Sequence, residues 1–532
     1  MNIMSKENTT KLLQILLERN PKTHNKLNKI KRKFARDEKI STMITNAELL
    51  QLYQEQITKD EINENPSLRA LLKKRAIRTL SGVAPVAVLT KSYPCPGKCA
   101  FCPTEAQMPK SYLSNEPAVM RAILTKFDPH KQVSVRLRAL QANGHSTDKI
   151  ELIVMGGTWS CLPKSYQTNY IKRCFDACNR KTAKTLAEAQ KLNETAKHRI
   201  VGLTLETRPD YITKKEIMRY RELGCTKVEI GIQTTDDKIL KLNKRGHGRQ
   251  EIIKATKLLK DAGFKVAYHM MPNLPGSTPK KDFEVFKELF SNPDFQPDML
   301  KIYPCVVVKG SELYEWWKQG KYRPYSTKQL VNLLLKIKLS IPDHVRIIRL
   351  IRDIPKESIE AGNIISNLRQ YLKAELVAQK KYCKCIRCRE ARTNISRAKD
   401  AKLFIKKYKT NGGTEYFLQY ASKNKRTLYA FLRLKLPEDK NHYISELKNA
   451  ALIREVHTYG RLVPIAQKTA KAVQHLGFGK KLMQEAEKIA KKQKYDKMAV
   501  ISGIGVRAYY RKLGYKLQGT YMVKKLKRKN EK

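Results

Sequence analysis

The run Pro94 to Pro103, PCPGKCAFCP, carries three thiols, Cys95, Cys99 and Cys102, separated by three and then two residues. Thiolates at this spacing can hold three irons of a [4Fe-4S] cluster and leave the fourth iron without a protein ligand. That open iron can chelate the amino and carboxylate groups of S-adenosylmethionine, whose sulfonium one electron then cleaves to a carbon radical. Pro94, Pro96, Gly97 and Pro103 keep the segment out of regular helix and suit a loop wrapped around a compact inorganic centre. A zinc knuckle and buried free thiols are the competing uses for such a triple.

A second group, Cys383, Cys385 and Cys388, lies in KYCKCIRCRE, and Cys305 follows an apolar run in YPCVV. The tight spacing suits three sulfurs around one tetrahedral zinc, with Cys305 expected to return as the fourth ligand; a second iron-sulfur cluster is the alternative. Cys161, Cys174, Cys178 and Cys225 have no such context and are expected to be core or incidental thiols. The third chemical stretch is Gln474 to Lys480, QHLGFGK. Its small residues would expose consecutive amides at a helix N-terminus, a seat for pyrophosphate, with Gln474, Leu476, Gly477, Phe478, Gly479 and Lys480 around it. Tyr509 and Tyr510 follow on a short helix.

Polar residues also collect at the ends of apolar runs. Gly156 and Gly157 let the backbone approach a ligand, and Glu206 and Gln233 are candidates for its amino or ribose groups; each is equally readable as a loop former. His269 opens HMMPNLPGS, His198 reads as a surface residue, and Arg245 to Arg249, RGHGR, reads as a flexible basic loop.

Between residues 81 and 330 the runs Val86–Leu89, Ile150–Met155, Ile200–Leu205, Lys227–Ile232, Lys265–Met270 and Met299–Tyr303 alternate with amphipathic helical stretches. That order is βαβα and predicts a parallel sheet closed partly or fully into a (β/α) barrel, with ligands at the strands' carboxyl ends. Residues 331–395 form a cysteine-rich linker, in which His344 to Arg352, HVRIIRLIR, is apolar enough for a strand and basic enough to border an RNA channel. From 396 to 532, strands at 414–420, 427–434, 451–458 and 497–501 and helices at 478–492 and 506–513 predict a mixed α/β domain. Residues 1–80 read as helical and basic, either a solvated appendage or a phosphate-facing surface through Lys29, Lys31, Arg32, Lys33, Arg36, Lys73, Lys74 and Arg75.

The charge supports a polyanionic partner. Lys and Arg total 107 against 49 Asp and Glu, a formal charge of +58 in 532 residues. RNA is the economical explanation, with adaptation to salt or heat as the alternative. No run of about 18 apolar residues exists, so no membrane span is expected and a cytoplasmic location is.

The whole organisation resembles the catalytic subunit of Elongator and its stand-alone archaeal and bacterial relatives. The marks are YPCPGKCAFCP, VMGGTW at 154–159, VEIGIQT at 228–234, HMMPNLPGS at 269–277, RxxHxYG at 454–460 and QHLGFGK at 474–480. The resemblance implies a radical SAM domain joined to a GNAT-type acetyltransferase domain, acting at C5 of uridine 34 in tRNA to give a carboxymethyl-type product. It implies acetyl-CoA as acetyl donor, with Gln474, Gly477 and Gly479 on the pyrophosphate and Tyr509 or Tyr510 aligning the thioester or the ring. It further implies that a 5′-deoxyadenosyl radical activates the acetyl methyl group, and that the four cysteines at 305, 383, 385 and 388 hold zinc. The three-residue gap after Cys95 matches the stand-alone type, for which self-sufficient action or a homodimer is expected, served by an unidentified electron donor. A protein lysine acetyltransferase using Glu455 or His457 as base, and a noncatalytic RNA scaffold, are the competing functions.

Overall fold

The computed structural model describes residues 3–73, 82–392, 397–459 and 477–526. Four helices open the chain, Ile3–Arg19, His24–Asp37, Asn46–Thr58 and Pro66–Leu72. Side chains start the later three: Thr23, Thr45 and Asn65 accept from the backbone N–H groups of Lys26, Glu48 and Leu68, which would otherwise lack partners. Leu12, Leu13, Leu16, Leu27, Phe34, Leu49 and Tyr53 converge in a small separate core. Lys29, Arg32, Lys33 and Arg36 stay exposed, as a phosphate-facing surface requires. Lys31 does not: it is buried and donates to Asn46 Oδ1 at 2.8 Å. Lys74 and Arg75 lie outside the described residues.

The next unit is a sheet of seven parallel strands in sequence order: β1 (Ala84–Leu89), β2 (Lys149–Met155), β3 (Arg199–Thr207), β4 (Lys227–Gln233), β5 (Lys265–Met270), β6 (Met299–Ile302) and β7 (Arg346–Arg349). Helices cross over between them, and their apolar faces with the strands' outward residues form the largest core. β1 and β7 do not pair, so the barrel is partial. Arg352, just past β7, spans toward the β1 side by donating to Ser111 Oγ at 2.6 Å and Glu116 Oε1 at 3.0 Å. The expected boundary at 330 is corrected here: the HVRIIRLIR segment pairs with β6 as the last barrel strand, because alternating Ile347 and Arg346 fit one buried and one lumen face.

The third unit is a seven-stranded, mostly antiparallel sheet of β8 (Lys402–Thr410), β9 (Gly413–Ala421), β10 (Leu428–Pro437), β11 (Ala450–Thr458), β12 (Lys497–Val500), β13 (Lys516–Gln518) and β14 (Tyr521–Lys525), in spatial order 13-14-12-11-10-9-8. Helix Phe478–Lys492 packs on it through Phe478, Leu482, Met483 and Ala486. β11 and β12 are its parallel pair, in register from Ala450 opposite Lys497 to Ile453 opposite Val500. Beyond that point β11 continues to Thr458 while β12 has ended, which opens a gap in the sheet.

Buried charge joins the two sheets. Arg454 of β11 donates to Asp298, which precedes β6, at 2.9 Å, and to both oxygens of Glu415 in β9 at 3.0 Å. Lys260, Arg433, Lys435, Asp261 and Glu455 extend the network, whose buried part holds four cations and four carboxylates, with the half-exposed Lys257 paired to Asp261 at its edge. Such balance is what lets ionic side chains stay out of water. Gly503 and Gly505 make the second contact: a Cβ on either would lie 2.1 Å from Val201 O or 2.5 Å from Arg199 Cβ, so β3 and this turn approach at backbone distance.

Candidate functional site

The loop after β1 brings Cys95, Cys99 and Cys102 to the carboxyl end of the parallel sheet, all three half-buried. A Cβ added at Gly97 would lie 3.6 Å from Cys95 Sγ, 3.5 Å from Cys99 Sγ and 2.6 Å from Arg208 Nη1, so the glycine leaves open a cradle between two sulfurs. Arg245 Nη1 donates to Cys99 Sγ at 2.9 Å. Burial, then neighbouring Cys99, pushes the Cys102 thiol up to about 11, while Ser111, Arg352 and Lys110 pull it down. A thiol in that setting becomes a thiolate when a metal shares its charge, and the surrounding cations offset what remains. The donor set, the cradle and the cations fit a thiolate-held iron-sulfur cluster.

Gly156 and Gly157 turn the chain after β2 with φ of +133° and +96°, conformations only glycine adopts readily. A Cβ at Gly156 would lie 2.0 Å from Thr90 Oγ1, itself a buried hydroxyl without a hydrogen-bond partner among the described residues. Gln233, at the end of β4 with φ of +70°, likewise has an unpartnered buried Oε1 among the described residues, and it lines one cavity with Gly157. An unpartnered hydroxyl against the glycine turn and an unpartnered amide oxygen on the cavity that Gly157 also lines suit a polar ligand. Glu206 is committed elsewhere in part: it accepts from Tyr112 Oη at 3.0 Å and from Lys301 Nζ at 3.3 Å.

Sequence reasoning missed most of the lumen. Lys301 also pairs with Glu229, which accepts from His269 Nε2 at 2.9 Å, and Lys227 pairs with Glu151. Lys301 and the lysine at 227 are raised against their burial by these carboxylates, and Glu229 is held well below its usual range, with Lys301 the strongest opposing influence on its desolvation. The available signal was the period of two in Lys227-Val-Glu229, which puts both charges on one strand face. RGHGR is a loop as expected but not an exposed one: Arg245 and His247 are buried, and Arg245, which lines the cavity beside the cysteines, also donates to Gly231 O. His198 is buried too, its Nδ1 within 3.1 Å of Thr147 Oγ1.

In the third unit, Gly477 adopts φ of +70° as the N-cap of helix Phe478–Lys492, and Phe478 stacks on Tyr420 at 4.5 Å. A Cβ at Gly479 would lie 2.9 Å from Tyr509 Oη, so that hydroxyl sits against the first helical turn. Tyr510 is buried and meets Tyr509 edge-on at 5.3 Å; Lys480 is exposed. Gln474 and Leu476 lie outside the described residues.

The two centres face one space. A cavity of about 1740 Å³ is lined by Cys95, Cys99, Cys102, Gly157, Glu206 and Gln233 and also by Gly477, Gly479, Lys480, Tyr509 and Tyr510. Thr458, His457 and Glu455 line it where β11 leaves β12. Arg121, Arg136, Arg349, Arg352, Lys110 and Lys356 also line it, with Asp353 paired to Arg349 and Glu116 to Arg352, so this wall carries a net positive charge.

Cys383, Cys385 and Cys388 place their sulfurs within 4.8 Å of one another. Hydrogen bonds from Cys383 and Cys388 hold the Cys385 thiol well below its usual range, and Lys338 Nζ lies 3.9 Å from Cys388 Sγ. Such a trio suits a thiophilic cation. Cys305 does not join it, which corrects the four-sulfur set: its backbone is tied to Pro272 and Asn273, and it packs with Leu274, Val307, Leu313 and Tyr322 in another apolar cluster. The barrel's own hydrogen bonding after β6 fixes that side chain inward. Among the described residues no helix is long and apolar enough to cross a membrane.

Comparison with known proteins follows the same division. The Radical SAM superfamily model matches residues 90–289, and the Radical_SAM C-terminal domain model matches 297–378. The chain is 46% identical over 478 residues to a tRNA uridine(34) acetyltransferase of Methanocaldococcus infernus, covering 87% of this chain and 89% of that one. It is 44% identical over 459 residues to the protein of that name in Dehalococcoides mccartyi, covering 85% and 100%, and 39% identical over 472 residues to Elongator complex protein 3 of Homo sapiens, covering 86% of each. Among solved structures, an N-terminally deleted Elp3 of Methanocaldococcus infernus superposes with a TM-score of 0.73 at 44% identity, covering 84% of this chain and all of that one.

Proposed function

Since this chain belongs to the family of the tRNA uridine(34) acetyltransferases and Elongator complex protein 3, and is a radical SAM enzyme that modifies the wobble uridine of tRNA, we propose that it builds a carboxymethyl-type substituent at C5 of that uridine from acetyl-CoA. The observation that carries this reading is the single cavity reached by the cluster cysteines and by the Gly477–Lys480 turn.

In this reading Cys95, Cys99 and Cys102 hold the cluster, and the Gly156-Gly157 turn and Gln233 hold S-adenosylmethionine. Together these groups supply one-electron radical chemistry when bound. Arg208 and Arg245, on the cavity wall beside the cysteines, offset the thiolate charge. Gly477 and the amides of the first turn after it seat the acetyl-CoA pyrophosphate, while Tyr509, against Gly479, orients the thioester in the gap between β11 and β12. The cationic wall at Arg349 and Arg352 holds phosphates flanking the target base, which positions the nucleotide without reading it. Cys383, Cys385 and Cys388 hold a structural zinc. The N-terminal helices add a basic face for the rest of the tRNA through Lys29, Arg32, Lys33 and Arg36, and the reaction belongs in the cytoplasm.

The test is anaerobic incubation of the reconstituted protein with reductant, S-adenosylmethionine, methyl-labelled acetyl-CoA and unmodified tRNA, followed by nucleoside mass spectrometry. Label in a C5-substituted uridine, lost with Cys99→Ser, is expected. Label on protein lysines alone, with S-adenosylmethionine cleavage verified, would favour the acetyltransferase reading instead.

A further inference from the structure

The family's chemistry leaves open how an electron reaches the cysteine loop, and a second, smaller pocket is lined by residues that adjoin the loop's backbone partners. It has a volume of about 470 Å³ and is lined by Leu242, Pro275, Gly276, Trp316, Lys321 and Arg323, none of which lines the large cavity. Leu242 is exposed to 47% and lies beside Trp316 in this lining, so the two make a small apolar surface. Lys241 beside it, Lys321 and Arg323 are exposed and form no ion pair among the described residues. The nearby acids are already engaged, Glu312 with Lys244 and Glu315 with Lys318. The patch is therefore apolar at its centre and cationic at its rim.

Its depth is the second observation. Ala100, the residue after Cys99, donates its N–H to Asn243 O at 3.2 Å and accepts from the N–H of Leu313 at 2.8 Å. Asn243 adjoins Leu242, and Leu313 belongs to the helix Glu312–Lys318 that carries Trp316. Phe101 packs in the same apolar cluster as Trp316 and Trp317 and lies under the Arg245 guanidinium, 5.9 Å from the ring centre. The segments that carry Leu242 and Trp316 of the patch are thus bonded, through Asn243 and Leu313, to Ala100 between Cys99 and Cys102.

We propose that this patch docks an acidic one-electron carrier protein, of flavin or iron-sulfur type, that reduces the cluster site. The inference rests on the radical reading above. Electron tunnelling decays steeply with distance, so a donor must approach the cysteines, yet the large cavity has to hold the thioester and the base. The second pocket, whose lining shares no residue with that cavity, meets both demands. One electron leaves the carrier, which is oxidised by one equivalent, and enters at the cysteine loop; no bond or proton moves at this surface. An apolar centre with a charged rim suits the small, transient interfaces of electron-transfer partners, and unpaired cations select an anionic one. An RNA strand would fit the charge but would gain nothing from proximity to Ala100.

The probes are an acidic FMN flavodoxin and an acidic [2Fe-2S] ferredoxin, with the full-length reconstituted protein. Trp159 is buried in the barrel core, so quenching by flavin reports Trp316 and Trp317 and hence binding itself. Lys241→Glu/Lys321→Glu/Arg323→Glu should slow reduction by either carrier at low salt by about tenfold or more, with the difference closing at high salt, and leave dithionite-driven cleavage of S-adenosylmethionine unchanged. In the unaltered protein, bound carrier should protect residues 312–325 from hydrogen exchange. Unchanged carrier reduction in the triple variant overturns the proposal, as does weakened tRNA retention with unaltered carrier binding. If the variant also loses dithionite-driven cleavage, the exchange experiment decides, and protection elsewhere or nowhere is fatal. Failure of the unaltered protein to cleave S-adenosylmethionine with dithionite would sink the radical reading separately, since quenching and protection are read without turnover.

Discussion

Arg454→Met removes one of four cations from the buried network between the sheets and leaves four carboxylates. Asp298 keeps Arg433 at 3.5 Å, and Glu415 keeps Lys260 at 3.0 Å and the Tyr408 hydroxyl at 2.8 Å, so the loss is not of a sole partner. Breaking a buried pair typically costs 3–5 kcal/mol; the remaining contacts place this one near the lower end, about 3 kcal/mol. Urea unfolding followed by circular dichroism measures it at neutral pH. The pH dependence gives a second reading. In the unaltered protein, Arg454 and Lys260 overcome the desolvation of Glu415 and hold it down at about 2, below its ordinary 4.5. Its contribution is therefore present above pH 4.5 and lost as pH falls toward 2. In the variant the carboxylates titrate higher, protonation relieves the excess charge, and the gap between the two proteins narrows in acid. Arg454→Met/Glu415→Gln restores three cations to three anions and should recover at least half of the loss. A single variant within about 1 kcal/mol of the original, or a double variant no better than the single, would refute the electrostatic account.

Cys102→Ser should abolish reductive cleavage of S-adenosylmethionine while leaving tRNA binding intact in a filter-retention assay. Gly479→Ala puts a methyl 2.9 Å from Tyr509 Oη and should weaken acetyl-CoA binding about tenfold, or about 1.4 kcal/mol, by calorimetry; Tyr509→Phe in the same background should regain part of it. Burial holds His344 down at about 4 from 6.5, so it favours the folded state fully above pH 6.5 and progressively less as pH falls through 4. Replacing it by Phe, which keeps the stack on Tyr408 at 4.3 Å, should flatten the stability profile across that window. Cys388→Ser should lower both metal content by mass spectrometry and thermal stability, without loss of the barrel's cluster absorbance.

Local pattern carried much of this architecture. Lys265–Met270 and Phe478–Lys492 have the bounds their periodicity predicts, because a buried parallel strand and an amphipathic helix are each legible within one window. The cysteine spacing before Cys102 was legible for the same reason. What depends on return through space was not. Cys305 has the residue type of a ligand, but its place is decided by hydrogen bonds to Pro272 and Asn273. Arg454, read only as part of RxxHxYG, proves to be a buried joint between sheets, and nothing near it in sequence names Asp298 as its partner. Arg245 in RGHGR has the composition of a solvent loop; its burial follows from its bonds to Cys99 Sγ and to Gly231 O of the preceding strand.

The common cavity also has a kinetic meaning. If acetyl units were freed at one centre and consumed at another across solvent, added acetate would dilute them. Cys99 and Tyr509 line one chamber, so under the proposed reaction the passage would be intramolecular, and methyl label from acetyl-CoA should reach the nucleoside undiluted by a large excess of unlabelled acetate. Under the proposed reaction, commitment to product would be set by how long the thioester and the base occupy the chamber together, and would be insensitive to what the surrounding medium contains.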